Sequence, residues 1–264
     1  MAHSHMAEML DLDAEVLSDY HHDVITWAGS LVPDRPRIID LGAGTGTGSL
    51  ALARHLPGAE VIAVDVDEEM LEHLRHRATE LGLGERIRTV QADLDQPWPA
   101  LGPADMVWAS ASLHHMADPG DALAQALATL RPGGVLLATE LDSFPMFLTG
   151  TADTGLEQRA HAALAALRDE AGLHMHEDWG DRLAKAGFVV EEERRADIDL
   201  RPPLPPAAGR YAQVSLARMA PRLEGRLDPA DLAALEALAA GVADRDDLTV
   251  RATRTVWLGR RPQA

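Results

Sequence analysis

Ile38-Ile39-Asp40-Leu41-Gly42-Ala43-Gly44-Thr45-Gly46-Thr47-Gly48 is an apolar run that meets a carboxylate and then alternate glycines. Such a turn leaving a parallel strand lets the backbone approach a nucleotide-like ligand with no Cβ in the way, and the next helix points its N-terminus there. The spacing then selects among ligands. A dinucleotide fingerprint counted from Gly42 needs glycine at position 47, where the chain has Thr47, so the pattern is G-x-G-x-G and not G-x-G-x-x-G. No Lys-Ser or Lys-Thr pair follows the glycines, which removes a P-loop. Asp40, just ahead of the turn, repels a pyrophosphate but attracts a ligand carrying an ammonium and a sulfonium. Charge and spacing together favour a cationic nucleoside over a nicotinamide dinucleotide.

Further segments follow in a fixed order. Ala59-Glu60-Val61-Ile62-Ala63-Val64-Asp65 reads as a second strand ending in an acid, and Ile87 to Leu94 as a third, closing in Gln91-Ala92-Asp93-Leu94. Ala104-Asp105-Met106-Val107-Trp108-Ala109-Ser110 reads as a fourth strand, followed by Ser112-Leu113-His114-His115-Met116. Leu130-Arg131-Pro132-Gly133-Gly134-Val135-Leu136-Leu137-Ala138 reads as a helix end, a turn and a fifth strand. From Arg37 to Glu140 this order resembles the class I S-adenosylmethionine-dependent methyltransferases. The resemblance implies an α/β fold, a doubly wound, mostly parallel seven-stranded Rossmann-like sheet whose terminal β-hairpin makes the last strand antiparallel. It implies S-adenosylmethionine as cofactor and S-adenosylhomocysteine as product. It places the donor against Asp40, Gly42, Ala43, Gly44 and Gly46, the ribose hydroxyls on Asp65 beside Val66 and Met70, the adenine amino group at Asp93 beside Leu94, and further contacts at Ala109 and Ser110.

At 264 residues with 46% hydrophobic residues, the chain can bury one sizeable catalytic core with additions. No stretch of eighteen apolar residues spans a membrane, and the start lacks the basic-then-apolar order of a signal peptide. Zero cysteines exclude disulfides and thiolate chemistry, which agrees with a cytoplasmic setting. Met1-Ala2-His3-Ser4-His5-Met6 reads as a cloning remnant, so His3 and His5 are set aside as ligands. A formal net charge of −18 opposes a nucleic-acid partner, and together with the ordered motifs and the apolar additions it points to a small-molecule acceptor. Arg251, Arg254, Arg260 and Arg261 read as the solvated edge of a strand. A composition rich in Ala, Arg, Gly, Leu and Asp resembles that of high-GC actinobacterial chains, in which enzymes of this family tailor secondary metabolites. Oligomeric state is not legible.

Apolar positions recur at helical spacing from Ala7 to Leu31, which predicts an N-terminal helical cap over residues 1–35. Helical patterns over Gly48–Leu56 and Glu68–Leu81 alternate with the strands and predict right-handed β-α-β units in a core over residues 36–142. Residues 143–187 form an expected substrate lid: an apolar loop, Ser143 to Leu148, then a helix from about Gly155 to Ala171. Last strands near Phe188–Leu200 and Thr249–Arg260 flank a second helical insertion over 202–247, in which Asp228-Pro229-Ala230-Asp231 is an N-cap signal. Insertions after strand carboxyl ends are where an open α/β sheet places substrate contacts.

Methyl transfer from a sulfonium is an in-line displacement, so positioning and water exclusion supply much of the catalysis. A hydroxyl acceptor needs a base, an amine needs its neutral form, and a carboxylate needs neither. His114 and His115 follow the fourth strand, and imidazole is a side chain suited to a general base, so they are the candidate catalytic residues. Adjacent histidines cannot aim at one metal from a single helix face and no third ligand lies near in sequence, so no metal is assigned. Candidate substrate contacts are Tyr20 and His21, with His22 beside them, Glu140 at the end of the fifth strand, and Phe144 and Phe147, with Trp179 as a further apolar lining residue. A non-catalytic module that binds S-adenosylmethionine or S-adenosylhomocysteine to regulate a partner is the alternative function.

Overall fold

In the computed structural model of the chain, residues 2–263 are described, and the side chains of residues 2–5, including His3 and His5, lie outside that description. Strand β1 (Arg37–Leu41) leads through the glycine turn into helix α3 (Thr47–His55). The unit repeats with β2 (Glu60–Asp65) and α4 (Glu68–Glu80), then β3 (Ile87–Gln91), β4 (Ala104–Ser110), α5 (Pro119–Thr129) and β5 (Leu130–Leu141). β1 pairs in parallel with β2 and β4, β2 with β3, and β4 with β5. With β6 (Val189–Leu200) and β7 (Val250–Arg260) they make a seven-stranded sheet in the order β3-β2-β1-β4-β5-β7-β6. Gly133 bonds Arg261 while Asp142 bonds Thr253, so β7 runs antiparallel to β5. This is the doubly wound, mostly parallel architecture expected. Its strand order reverses between β1 and β4, which makes the carboxyl ends of those strands the topological switch point.

Alternate residues of the strands feed opposite faces. Ile39, Leu41, Val107 and Ala109 enter one apolar cluster, and Ile38, Met106 and Trp108 the other, as strands covered on both sides require. At the start of α3, Gly46 has φ +83°, and a Cβ there would fall on the Leu74 side chain. Gly46→Ala combines left-handed strain with overpacking of α3 on α4, and it is expected to cost about 2–5 kcal/mol of stability, read as a lowered midpoint in urea.

Two expected boundaries shift. β3 stops at Gln91 rather than Leu94: the Ala92 N–H makes a last bond to the Asp65 carbonyl of β2, and the Asp93 carboxylate then accepts the Asp95 N–H at 3.0 Å, which turns the chain. His114 and His115 end a 3-10 turn, Leu113–His115, and α5 starts at Pro119, behind the Asp118 N-cap. β5 also begins earlier than expected: Leu130 pairs with Ala104, then the register jumps so that Met106 faces Val135, with Gly133 at φ +79° taking the kink.

The chain divides into two compact units. The core unit comprises residues 19–141, 174–195 and 255–264; the helical unit comprises 1–18, 142–173 and 196–254. The expected N-terminal cap is therefore split. Helix α2 (Ser18–Ser30) buries Val24, Ile25 and Ala28 in a core-unit cluster with Ile38 and Leu50. Helix α1 (Ala2–Val16) belongs to the helical unit, where Asp13 takes Arg254 and the Tyr211 hydroxyl, each at 2.5 Å. The expected lid is split as well, since Trp179 and Leu183 of α7 (Trp179–Lys185) pack with Leu123 and Trp257 in the core unit. In the helical unit, α8 (Ala208–Met219) packs on α1 and α9 (Pro229–Gly241), and α6 (Thr154–Glu170) on α9. Asp228 caps α9 through the Ala230 N–H at 2.8 Å with Pro229 in the first turn, as its sequence predicts. Among the described residues no helix is long and apolar enough to cross a membrane.

Candidate active site

Seven of the ten buried polar or charged side chains of the described residues are Asp40, Thr45, Ser49, Ser112, His114, Thr139 and Glu140, all at or just beyond the carboxyl ends of β1, β4 and β5. Burying polar groups is costly unless they are paired, so their concentration at the switch point marks a built site. Gly42, Gly44 and Gly46 all have positive φ, which carries the backbone through a turn that other residues would strain. A Cβ on Gly42 would stand 2.6 Å from Ser112 Cβ, so the β1 turn and the chain after β4 close on each other there. Ala111, the residue between, is held at φ +53° with its N–H on the Thr139 carbonyl at 2.7 Å.

The buried Asp40 carboxylate accepts the Ser49 hydroxyl at 2.6 Å. Burial pushes its pKa up to about 7, the Ser49 hydrogen bond opposes this, and the charge of Asp65 adds to it. The group is thus poised near neutrality and would favour a cation in the crevice. Asp65 accepts the Gly44 N–H at 2.7 Å on one oxygen and the Asp67 N–H at 2.9 Å on the other, which fixes its carboxylate at the end of β2. Next to it Val66 is 62% exposed, one of few large apolar side chains left in solvent, while Met70 is buried in the first turn of α4. Leu94 is buried beside the exposed Asp93, Ala109 is buried in β4, and Ser110 is half-buried at its end. Helix α3 has no side-chain N-cap, and the buried hydroxyls of Thr47 and Ser112 have no hydrogen-bond partner among the described residues. Open N–H groups, orphaned hydroxyls, an apolar face and two carboxylates fit a cationic nucleoside.

The 3-10 turn after β4 carries the other half of the site. His114 is 4% exposed, and its Nδ1 lies 2.5 Å from Glu140 Oε2; the second Glu140 oxygen accepts the Leu113 N–H at 2.8 Å. With Nδ1–H donating to that carboxylate, Nε2 carries the lone pair. His115 is exposed, with its ring tilted against that of His114 at 4.1 Å between centroids. The structure therefore separates two histidines that sequence treats alike.

The expected substrate contacts stand in different surroundings. Glu140 is buried with one oxygen on His114 Nδ1 and the other accepting the Leu113 N–H. Phe147 is 0% exposed, edge-on to Tyr211 in the interior of the helical unit, and Trp179 is equally buried in the core unit, so neither lines a pocket. Phe144 is half-buried under the Arg168 guanidinium, 3.6 Å from the ring centroid. Tyr20 and His21 are half-buried in α2 with their rings in contact at 5.2 Å. Arg254, read as a solvated edge residue, is buried on Asp13. Sequence reasoning missed Ser49, Ser112 and Thr139, which hold or shape the site; a serine in the first turn after the glycines was the one available signal. A separate cleft of about 540 Å³, lined by Trp98, Leu101, Thr129 and Arg131, opens at the amino ends of β4 and β5, the wrong end of the strands for this chemistry.

A family model described as a methyltransferase domain matches residues 38–134, the span of the glycine turn, β2, β3 and β4. A demethylmenaquinone methyltransferase of Clavibacter sepedonicus is 40% identical over 171 residues, covering 60% of this chain and 67% of that protein. A 27-O-demethylrifamycin SV methyltransferase of Amycolatopsis mediterranei is 28% identical over 176 residues, covering 66% of this chain and 62% of that one. Among solved structures, an O-methyltransferase family protein from Burkholderia thailandensis superposes with a TM-score of 0.58 at 19% identity, covering 96% of this chain and 59% of that one, a likeness of fold. The chain belongs to the class I S-adenosylmethionine-dependent methyltransferases. It spans from 24% to 62% of the length of four of the curated relatives it matches.

Proposed function

We propose that the chain moves a methyl group to an oxygen or nitrogen of a small molecule, with His114 as general base. The single observation that carries this reading is the buried His114–Glu140 pair beside the glycine turn. When bound, S-adenosylmethionine supplies a methyl carbon made electrophilic by its sulfonium. Asp40 would provide the negative field that favours the cationic donor, Asp65 would hold its ribose hydroxyls, and Val66 and Met70 would offer the apolar face. With the donor bound, His114 Nε2 would take the proton that a hydroxyl or amine acceptor gives up on methylation. Glu140, as a positioning residue, holds the ring and stabilises the imidazolium. The acidic surface of this chain and its rifamycin-related relative support a small acceptor, including one from secondary metabolism.

Transfer of labelled methyl across a panel of phenols, alcohols, amines and carboxylic acids tests this. Incorporation into phenols or amines is expected; tight donor binding with no transfer to any of them would favour the regulatory alternative. Asp65→Ala is expected to weaken donor binding by about 1–3 kcal/mol in calorimetry, since a charged acceptor for two hydroxyls is lost. An unchanged dissociation constant would place the ribose elsewhere.

A further inference from the structure

The chain is strongly acidic, yet three arginines of the helical unit have no carboxylate partner among the described residues. Arg168 lies in the last turn of α6, Arg218 in the last turn of α8, and Arg222 one turn beyond it, at the end of the 3-10 turn Ala220–Arg222. The bidentate pair of Arg226 with Glu170, with both contacts at 2.7 Å, ties the end of α6 to the segment after α8 and brings these cations into one neighbourhood. None of the three is within ion-pair distance of a carboxylate among the described residues. Other arginines of the same unit are matched: Arg159 with Asp231, Arg245 with Asp153 and Asp247, and Arg201 with Asp199.

The clustering carries a cost. Partial burial and the neighbouring charge of Arg222 push the Arg168 guanidinium down to about 10, and the same causes lower that of Arg218. His161, two helical turns before Arg168 on α6, is held neutral by burial and by the Arg168 charge, and its buried Nε2 has no hydrogen-bond partner among the described residues. A helix end gains something from a single cation in its last turn, but that gain does not explain why three converge where 42 acidic residues were available to neutralise them.

We propose that Arg168, Arg218 and Arg222, with His161 beside them, bind the anionic group of a small molecule, a carboxylate or a phosphate ester. The guanidinium fork matches either oxyanion through paired N–H donors, and a partly buried site strengthens each contact. Phe144, stacked under Arg168, holds that guanidinium flat and leaves its edge for the ligand. All of these residues lie in the helical unit, so the site can be tested without the donor.

The test is calorimetric titration of the full chain at low ionic strength with inorganic phosphate and, separately, with citrate. Saturable binding of at least one is expected, weakened tenfold or more in Arg168→Gln and in the exposed Arg222→Gln, and unchanged in Arg201→Gln. Which probe saturates at lower concentration distinguishes phosphate from carboxylate chemistry. Affinity for S-adenosylhomocysteine, measured on the same variants, should not move, which separates this proposal from the donor site and also reports correct folding. No saturation with either anion, or equal loss in all three variants, overturns it.

Discussion

Replacing His114 by alanine is expected to lower kcat for a hydroxyl or amine acceptor by about 10²–10⁴-fold while leaving donor affinity unchanged. The ring is buried, its Nδ1 is fixed by Glu140, and that carboxylate is itself fixed by the Leu113 N–H. With Nδ1–H donating to Glu140, Nε2 is the nitrogen able to take a proton. Glu140→Gln keeps an acceptor for Leu113 and removes the charge that stabilises the imidazolium, so kcat should fall by about 10–10³-fold with KM within a factor of three. A merely structural role for the pair would instead lower the melting temperature and raise KM for every acceptor alike. A carboxylic acid acceptor provides the control, because it carries no proton to remove: its rate should be unaffected by either substitution. Equal losses on carboxylic and phenolic acceptors would remove His114 from proton transfer.

Asp40→Asn is expected to move stability and donor binding in opposite directions. A carboxyl held near 7 in the folded chain against 3.8 when unfolded keeps its proton more tightly in the folded state. Its contribution to stability is therefore fully present below about pH 4 and is lost as pH climbs through about 7, where burial of the bare charge becomes the cost. Asparagine keeps the shape and an acceptor for Ser49 without the charge. The variant without ligand should be more stable than the parent at pH 8 by about 2–4 kcal/mol, and the difference should vanish near pH 4. Donor affinity should fall about tenfold or more, with a larger loss for S-adenosylmethionine than for S-adenosylhomocysteine, whose sulfur is neutral. Urea titrations at several pH values together with calorimetry read both effects. A variant less stable at pH 8, or one with donor affinity unchanged, would mean that Asp40 serves only to hold Ser49.

Much of this was legible because the features are local. A strand, a carboxylate and alternating glycines declare the turn at Gly42–Gly46, and Asp228-Pro229 declares the start of α9 through capping chemistry that needs no tertiary contact. What stayed hidden depends on partners far apart in sequence. Glu140 read as a substrate contact, and the fold brings it to His114, 26 residues away. Arg254 read as a strand-edge cation, yet it is buried on Asp13, 241 residues away, and both belong to the helical unit. Phe147 gave an apolar signal that fits a pocket wall or a core equally well, and packing against Tyr211 decided for the core. The arginines of α6 and α8 had no signature at all, because helix-end cations are ordinary until their missing carboxylates can be counted in space.

The most direct measurement is a crystal of the chain soaked with S-adenosylhomocysteine. The account predicts density running along Gly42–Gly46, with the ribose hydroxyls on Asp65, the base against Val66, and the sulfur on the side of His114 Nε2. Density at the cleft by Trp98 and Arg131, or a glycine turn left empty at saturating ligand, would contradict it.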